Sequence, residues 1–203
     1  MIKNYSNLAA LLENHDLILA SGSPRRVRIL KEAGIAFRQI VPDIDENSGP
    51  NLPPERLAIH LAEKKATAIA GQASIRDIIL GCDTIVVLND EILGKPESKE
   101  HAFEILSRLS GHRHTVFSAV ALLRYEGRMV SGFEPTEVIF NKVGEDEIRA
   151  YIETGEPLDK AGAYGIQGFG AFLVDTYIGN LDNVIGLPMT LVNSLAGKLL
   201  AEN

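Results

Sequence analysis

Residues 78–88 read Ile-Ile-Leu-Gly-Cys-Asp-Thr-Ile-Val-Val-Leu, an apolar and β-branched run interrupted by a carboxylate. The pattern predicts a buried strand, an Asn89-Asp90 turn and a short return over 91–93. A carboxylate inside such a strand costs free energy unless it is paired or bound to a metal. Chains bear that cost mainly at sites of chemistry, which makes Asp83 a candidate catalytic acid or base. The competing reading is a buried structural salt bridge. Gly81 lies two positions earlier on the same face and leaves room beside the carboxylate, whereas Cys82 points the other way, into the core.

The rest of the chain alternates strand and helix patterns around this run. Residues 17–20 form a short apolar strand, and 21–23 (Ser-Gly-Ser) a small-residue turn. Pro24 then opens a helix with Ser23 as N-cap, and Gly34 stops it. A strand is expected over 37–41, a proline-rich loop over 43–54 and a helix over 55–70 ending at Gly71. A helix over 98–109 stops at Gly111. Strands over 115–124 and 129–140 pair as a hairpin around Glu126-Gly127, and a helix follows over 145–154. Residues 156–170 are glycine-rich and too long for a simple connection, which favours a functional loop. A strand over 171–174 and a helix from Pro188 to about Leu199 complete the chain. The alternation implies an α/β fold, a mixed twisted sheet with flanking helices.

With 203 residues, 45% of them hydrophobic, the chain can build one ordinary core with two lobes, preceded by a short helical extension over 1–16. A charged fraction of 23% sets it apart from disordered chains. A net charge of −7 argues against a broad nucleic-acid footprint but permits a local basic pocket. Cys82 is the only cysteine, so no intrachain disulfide forms. No apolar run approaches a membrane span and no leader pattern opens the chain, so a cytoplasmic protein with no membrane partner is expected.

Several cations stand where phosphate chemistry would use them. Arg25 and Arg26 lie on the first helical turn after the Ser21-Gly22-Ser23 loop, where free N–H groups and the helix dipole favour an anion. Their forks bind phosphate bidentately. The bland reading is a capped surface helix with solvated arginines. On a helical wheel of residues 55–70, Lys65 falls near the middle of the apolar face formed by Leu57, Ala58, Leu61, Ala62, Ala66 and Ile69. It should reach a buried anion or a cleft, unless it snorkels past the alanines to solvent. Lys95, between Gly94 and Pro96, would be a third cation. Asp45 and Glu46 sit in the first polar loop. Glu46 together with Asp83 would suit a hard divalent cation, if they are not simply solvated loop acids.

Other signals fail. There is no G-x-x-x-x-G-K-[ST] sequence. Gly162, Gly165, Gly168 and Gly170 imitate a dinucleotide fingerprint but follow no suitable strand. His112 and His114 share one face of a strand without the further ligands that a zinc site needs.

Taken together, Ser21-Gly22-Ser23-Pro24-Arg25-Arg26, Gly81-Cys82-Asp83-Thr84, Gly94-Lys95-Pro96, Leu109-Ser110-Gly111, the stretch from Gly155 to Gly168, and Asn183-Val184-Ile185-Gly186-Leu187-Pro188 resemble the Maf-type nucleotide pyrophosphatases. The resemblance runs from Leu17 to the C-terminal helix and implies one Maf-like domain. It further implies a two-lobed α/β fold around a cleft, related to the inosine triphosphate pyrophosphatases, and frequently a homodimer. The implied activity is metal-dependent hydrolysis of nucleoside triphosphates between the α and β phosphates, with Mg²⁺ or Mn²⁺ as cofactor. Asp83 matches the family's proton acceptor. Arg26, Lys65 and Lys95, with Ser21 and Ser23 of the turn, fall at phosphate-binding positions, and Glu46 with Asp83 at the metal. Arg25, Thr84 and Gln167 match the specificity positions of the branch acting on dTTP and UTP. A carboxamide such as Gln167 can pair with the N3–H and O4 of uracil or thymine at once, whereas cytosine presents the opposite pattern. Modified pyrimidine triphosphates would fit the same contacts. The alternatives are the 7-methyl-GTP branch of the family and, from a different class, a non-catalytic nucleotide-sensing regulator of cell division.

Overall fold

The computed structural model describes residues 6–46, 50 and 52–201. Parts of the expected N-terminal extension (1–5) and of the expected loop over 43–54 (47–49 and 51) lie outside the described residues. The elements are α1 (Ser6–Leu11), β1 (Asp16–Ala20), α2 (Pro24–Glu32), β2 (Arg38–Ile40), α3 (Pro54–Ala68), β3 (Asp77–Leu88), β4 (Glu91–Leu93), α4 (Lys99–Leu109), β5 (Arg113–Arg124), β6 (Met129–Phe140), α5 (Glu145–Glu153), β7 (Val174–Ile178), α6 (Leu181–Ile185) and α7 (Met189–Leu200).

The strands form one mixed sheet in the order β2-β1-β3-β5-β6-β7, with β4 paired to β3. Strands β2 and β3 both run parallel to β1. The β3–β4 and β6–β7 pairs are antiparallel. Both residues of the turn between β3 and β4, Asn89 and Asp90, have left-handed backbone, as a tight hairpin requires. Among the described residues no helix is long and apolar enough to cross a membrane.

The chain divides into two compact units. The first gathers the described residues up to Asp83, with Ser118–Glu134 and those from Gly186 onward. Its buried side chains include Leu17, Ile18 and Leu19 of β1, Ile78, Ile79 and Leu80 of β3, and Ala58, Leu61, Ala62 and Ala66 of α3. The second comprises Thr84–Phe117 and Pro135–Ile185. Here Ala102, Ile105, Leu106 and Leu109 of α4 join Ile148, Tyr151 and Ile152 of α5 in one apolar cluster. Their spacing of three and four residues is what a helix with one core face needs. The Ser98 hydroxyl caps α4 by accepting from the His101 N–H at 3.1 Å.

Local expectations fail at a few places, each for a physical reason. The last strand begins at Val174 instead of spanning 171–174, and residues 168–173 form a tight 3-10 segment. The Glu156 carboxylate accepts the N–H groups of Phe169 and Gly170 and so holds the start of this segment in its tight turn. Helix α3 ends at Ala68, and a 3-10 turn over Ala70–Gln72 contains Gly71, which is therefore not the residue that stops it. Ser23 holds the N-cap position of α2, but its side chain makes no capping bond. Helix α6 is too short to leave a periodic signature, and local sequence reasoning did not anticipate it.

Candidate active site

The parallel register of β1 and β3 pairs Ala20 with Gly81. Asp83 therefore lies just past the carboxyl end of β1, where the Ser21-Gly22-Ser23 turn departs. From β1 the chain goes on to β2, on one side, and from β3 it reaches β5, on the other. The loop at the carboxyl end of a strand where the chain diverges in this way is the usual location of ligand sites in open α/β sheets, and here it lies beside the middle of β3.

Helix α3 lies directly against β3 at Gly81. A Cβ on Gly81 would come within 2.1 Å of the Ala62 carbonyl oxygen and 2.9 Å of the Ala66 nitrogen. The room expected beside the carboxylate is thus filled by helix backbone. That close approach brings Lys65, one helical turn beyond Leu61, onto Asp83: Nζ donates to Asp83 Oδ1 at 2.6 Å. The same ammonium is 2.7 Å from Glu46 Oε1. Its neighbour Lys64 donates to the Asp45 carbonyl at 2.8 Å, so consecutive lysines fasten the acidic loop to the helix. Lys65 does not snorkel, being 6% exposed, and Asp83 is 7% exposed. A buried salt bridge is therefore present, yet it is not a closed pair, because one ammonium serves a core carboxylate and a half-buried loop carboxylate together.

Arg26 is turned inward. It is 8% exposed, its Nε donates to the Gly186 carbonyl at 2.9 Å and its guanidinium to Ser21 Oγ at 2.9 Å. Ser21 Oγ also accepts from the Ser23 N–H at 3.2 Å, and the Ser21 carbonyl accepts from Gln39 at 2.7 Å. The turn and the arginine thus fix each other at the N-terminus of α2. The Cys82 thiol donates to the same Gly186 carbonyl and, as burial pushes it up, stays a thiol. Arg25, half-buried, follows Pro24 on the first turn.

Burial pushes the Asp83 carboxyl above the ordinary carboxylate value. Lys65 and Arg26 pull it back in part, and the Glu46 charge adds to the rise. A buried carboxyl raised in this way is a better proton acceptor once ionised. Asp83 and Glu46 offer oxygen donors around a single positive centre, the Lys65 ammonium, and such donors fit Mg²⁺ or Mn²⁺. Among the described residues no third acid, histidine or cysteine joins a metal-holding group. Glu46 and Asp83 would be the residues to hold such a metal.

Ser21 is bound to Arg26, and Glu46 and Asp83 to Lys65, all within the first unit, to which Ser23 and Arg25 also belong. Thr84, Lys95 and Gln167 belong to the second unit. Thr84 follows Asp83 on β3 and is half-buried, Lys95 is exposed after β4, and Gln167 is exposed just before the 3-10 segment. The Lys95 turn is tied to the glycine-rich loop, since the Gly94 carbonyl accepts from the Gly162 N–H at 3.1 Å. His112 lies outside β5, whereas His114 is buried with Nε2 2.8 Å from the Tyr164 hydroxyl. Burial lowers the His114 pKa to about 4, so it is neutral at physiological pH. Sequence reasoning also passed over Tyr151 and Glu156, whose signal is an apolar helix face running into a loop dense in glycine.

The sequence pattern of the Maf-like protein family matches residues 16–199. The chain belongs to that family. A protein of Caldicellulosiruptor saccharolyticus named dTTP/UTP pyrophosphatase is 43% identical over 187 residues, covering 90% of this chain and 94% of the relative. One of Desulfitobacterium hafniense with the same name is 49% identical over 181 residues, 87% of this chain and 82% of the relative. One of Bacillus anthracis, again so named, is 45% identical over 174 residues, 86% and 90% respectively. Among solved structures, the Staphylococcus aureus Ham1 protein matches with a TM-score of 0.51 at 14% identity, over 91% of this chain and 97% of that one. At that identity the likeness speaks for the fold alone. It agrees with the α/β architecture expected for this Maf-like chain.

Proposed function

We propose that this chain is a dTTP/UTP pyrophosphatase, hydrolysing the anhydride between the α and β phosphates to give a nucleoside monophosphate and pyrophosphate. The observation that carries the reading is the Asp83–Lys65–Glu46 cluster beside the inward-turned Arg26, in a Maf-like chain whose relatives bear that name. Water attacks one of the two bridged phosphorus atoms, the bridging P–O bond breaks, and Asp83 accepts the proton that the water loses. Arg26, Lys65 and Lys95, with the Ser21 to Ser23 turn and the N-terminus of α2, hold phosphate oxygens and offset the charge that gathers on them. A divalent cation held by Glu46 and Asp83 would supply further charge neutralisation when bound. Base choice is assigned to Arg25, Thr84 and Gln167, with the Gln167 carboxamide matching the N3–H and O4 edge of uracil or thymine.

The test is incubation of the purified protein with Mg²⁺ or Mn²⁺ and dTTP, UTP, CTP or 7-methyl-GTP, with product identification. Monophosphate and pyrophosphate from dTTP and UTP are expected, with CTP spared. Turnover of 7-methyl-GTP alone would overturn the base assignment. Nucleotide binding without turnover would overturn the enzyme and favour a sensor.

A further inference from the structure

The glycine-rich loop after α5 is built around two side chains that the reaction does not use. Tyr151, in the last turn of α5, donates its hydroxyl proton to Glu156 Oε1 at 2.9 Å. The same hydroxyl oxygen accepts the Gly165 N–H at 3.1 Å. Glu156 in turn accepts the Phe169 N–H on Oε2 at 2.9 Å and the Gly170 N–H on Oε1 at 3.2 Å. Gln167 thus stands midway between two anchored residues, Gly165 on the tyrosine and Phe169 on the glutamate, two positions from each.

The sequence pays for this geometry in glycine. Gly168 has a φ of 75°, and a Cβ there would come within 2.6 Å of Glu156 Oε2. A Cβ on Gly170 would meet the Gly165 carbonyl oxygen at 2.5 Å and the Tyr151 hydroxyl at 2.6 Å. Gly165, Gly168 and Gly170 are therefore explained by a loop folded tightly round a carboxylate and its tyrosine, whereas a Cβ on Gly162 would meet Val86 at 2.9 Å. Lys160 also has a place in it, donating to the Glu156 carbonyl and to Asp159 Oδ1. Tyr151 is 2% exposed and its ring packs edge-on against Phe172 at 6.0 Å, so its hydroxyl has a firm base.

We propose that Tyr151 and Glu156 are positioning residues for pyrimidine selection, acting by holding the backbone on both sides of Gln167. The inference rests on the reading of Gln167 as a base-selecting residue. A carboxamide discriminates N3–H from a bare N3 only if it is presented in one orientation, since a freely rotating amide can offer either its donor or its acceptor. Fixing the backbone on both sides fixes the point and direction from which the Gln167 side chain starts before any nucleotide arrives, which is preorganisation of its Cα–Cβ bond.

The experiment compares wild type with Tyr151→Phe, Glu156→Gln and Gln167→Ala, measuring kcat and KM for dTTP and CTP and the melting temperature of each. Gln167→Ala is expected to lower the dTTP-to-CTP ratio of kcat/KM about a hundredfold. Tyr151→Phe, which keeps the ring and its packing, should lower it about tenfold through a raised KM for dTTP with kcat largely kept. Glu156→Gln should act in the same direction. A purely structural role would lower the melting temperature and leave the ratio at the wild-type value. That result in Tyr151→Phe, with Gln167→Ala still losing discrimination, would overturn the positioning role alone. An unchanged ratio in Gln167→Ala would overturn the reading of Gln167, and the inference with it.

Discussion

Two buried aspartates lie six residues apart on β3, and their environments push them in opposite directions. Asp77 is 2% exposed and accepts from Arg38 and from both the N–H and the hydroxyl of Ser74. Burial alone would raise its carboxyl, but these bonds outweigh burial and hold it below the ordinary value. Asp83 is almost as little exposed, yet burial prevails over the Lys65 and Arg26 charges and its carboxyl is raised. The difference lies in depth, since Asp83 is far more deeply enclosed by the surrounding protein, and in the partners. Asp77 is satisfied by short-range donors from its own turn and one arginine, as a structural carboxylate is. Asp83 faces a cation that also serves a second carboxylate, beside the inward-turned Arg26. Burial of a charge alone therefore does not set the direction of its pKa; depth weighed against partners does.

The comparison breaks most visibly in turnover. Asp83→Asn should cut kcat for dTTP by about 10²–10⁴-fold, the usual worth of a positioned base, while the protein still folds. Steady-state rates with wild-type-like circular dichroism are the check, and an active Asp83→Asn protein would remove its role as base. Lys65→Met comes next. It leaves Asp83 and Glu46 without their shared cation and should lower stability by about 3–5 kcal/mol in denaturant unfolding. Combining it with Asp83→Asn should recover much of that loss, because the Asp83 position then carries no charge left without Lys65. A double-variant stability equal to the sum of the two single effects would show that the pair is not coupled.

The smallest effect is the sharpest test of the contrast, because it predicts opposite signs. Asp77→Asn should cost about 2 kcal/mol near neutrality, the scale of hydrogen bonds to a charged group, and leave kcat unchanged. Because the folded pKa of Asp77 is lowered, wild type holds this advantage above the ordinary carboxylate range and loses it as pH falls through the folded value. Because the folded pKa of Asp83 is raised, ionised Asp83 destabilises the fold. Asp83→Asn should therefore melt higher than wild type at neutral pH, and the two should converge as pH falls below the raised value. Melting temperatures of the three proteins from pH 3 to 8 in metal-free buffer check both curves, and differences of the same sign would refute the contrast.

Much of the contrast was legible in the sequence, because both anomalies are local. A carboxylate in an apolar strand and a lysine on an apolar helix face can each be seen from periodicity, and Asp83 and Lys65 are buried where those patterns put them. Asp77 was not legible, since it sits at the strand's first position, where polar residues are ordinary. The Tyr151–Glu156 hub was hidden for another reason. A tyrosine on an apolar face reads as core, and a glutamate before a proline reads as solvent-facing.

The alternation of strand and helix, the mixed α/β fold and the family motifs are determined by the sequence alone, since each depends on short-range pattern. What only the tertiary structure decided are the partnerships between residues far apart in the chain. Lys65 and Asp83 are separated by 18 positions, and Arg26 reaches a carbonyl 160 positions away. Gly81 proves to be a seat for helix α3 rather than an opening beside the carboxylate. Periodicity tells which face of an element is buried, but which buried group meets which depends on how closely the elements pack. That distance is set by backbone against backbone, with 2.1 Å at Gly81 leaving no place for even a methyl group.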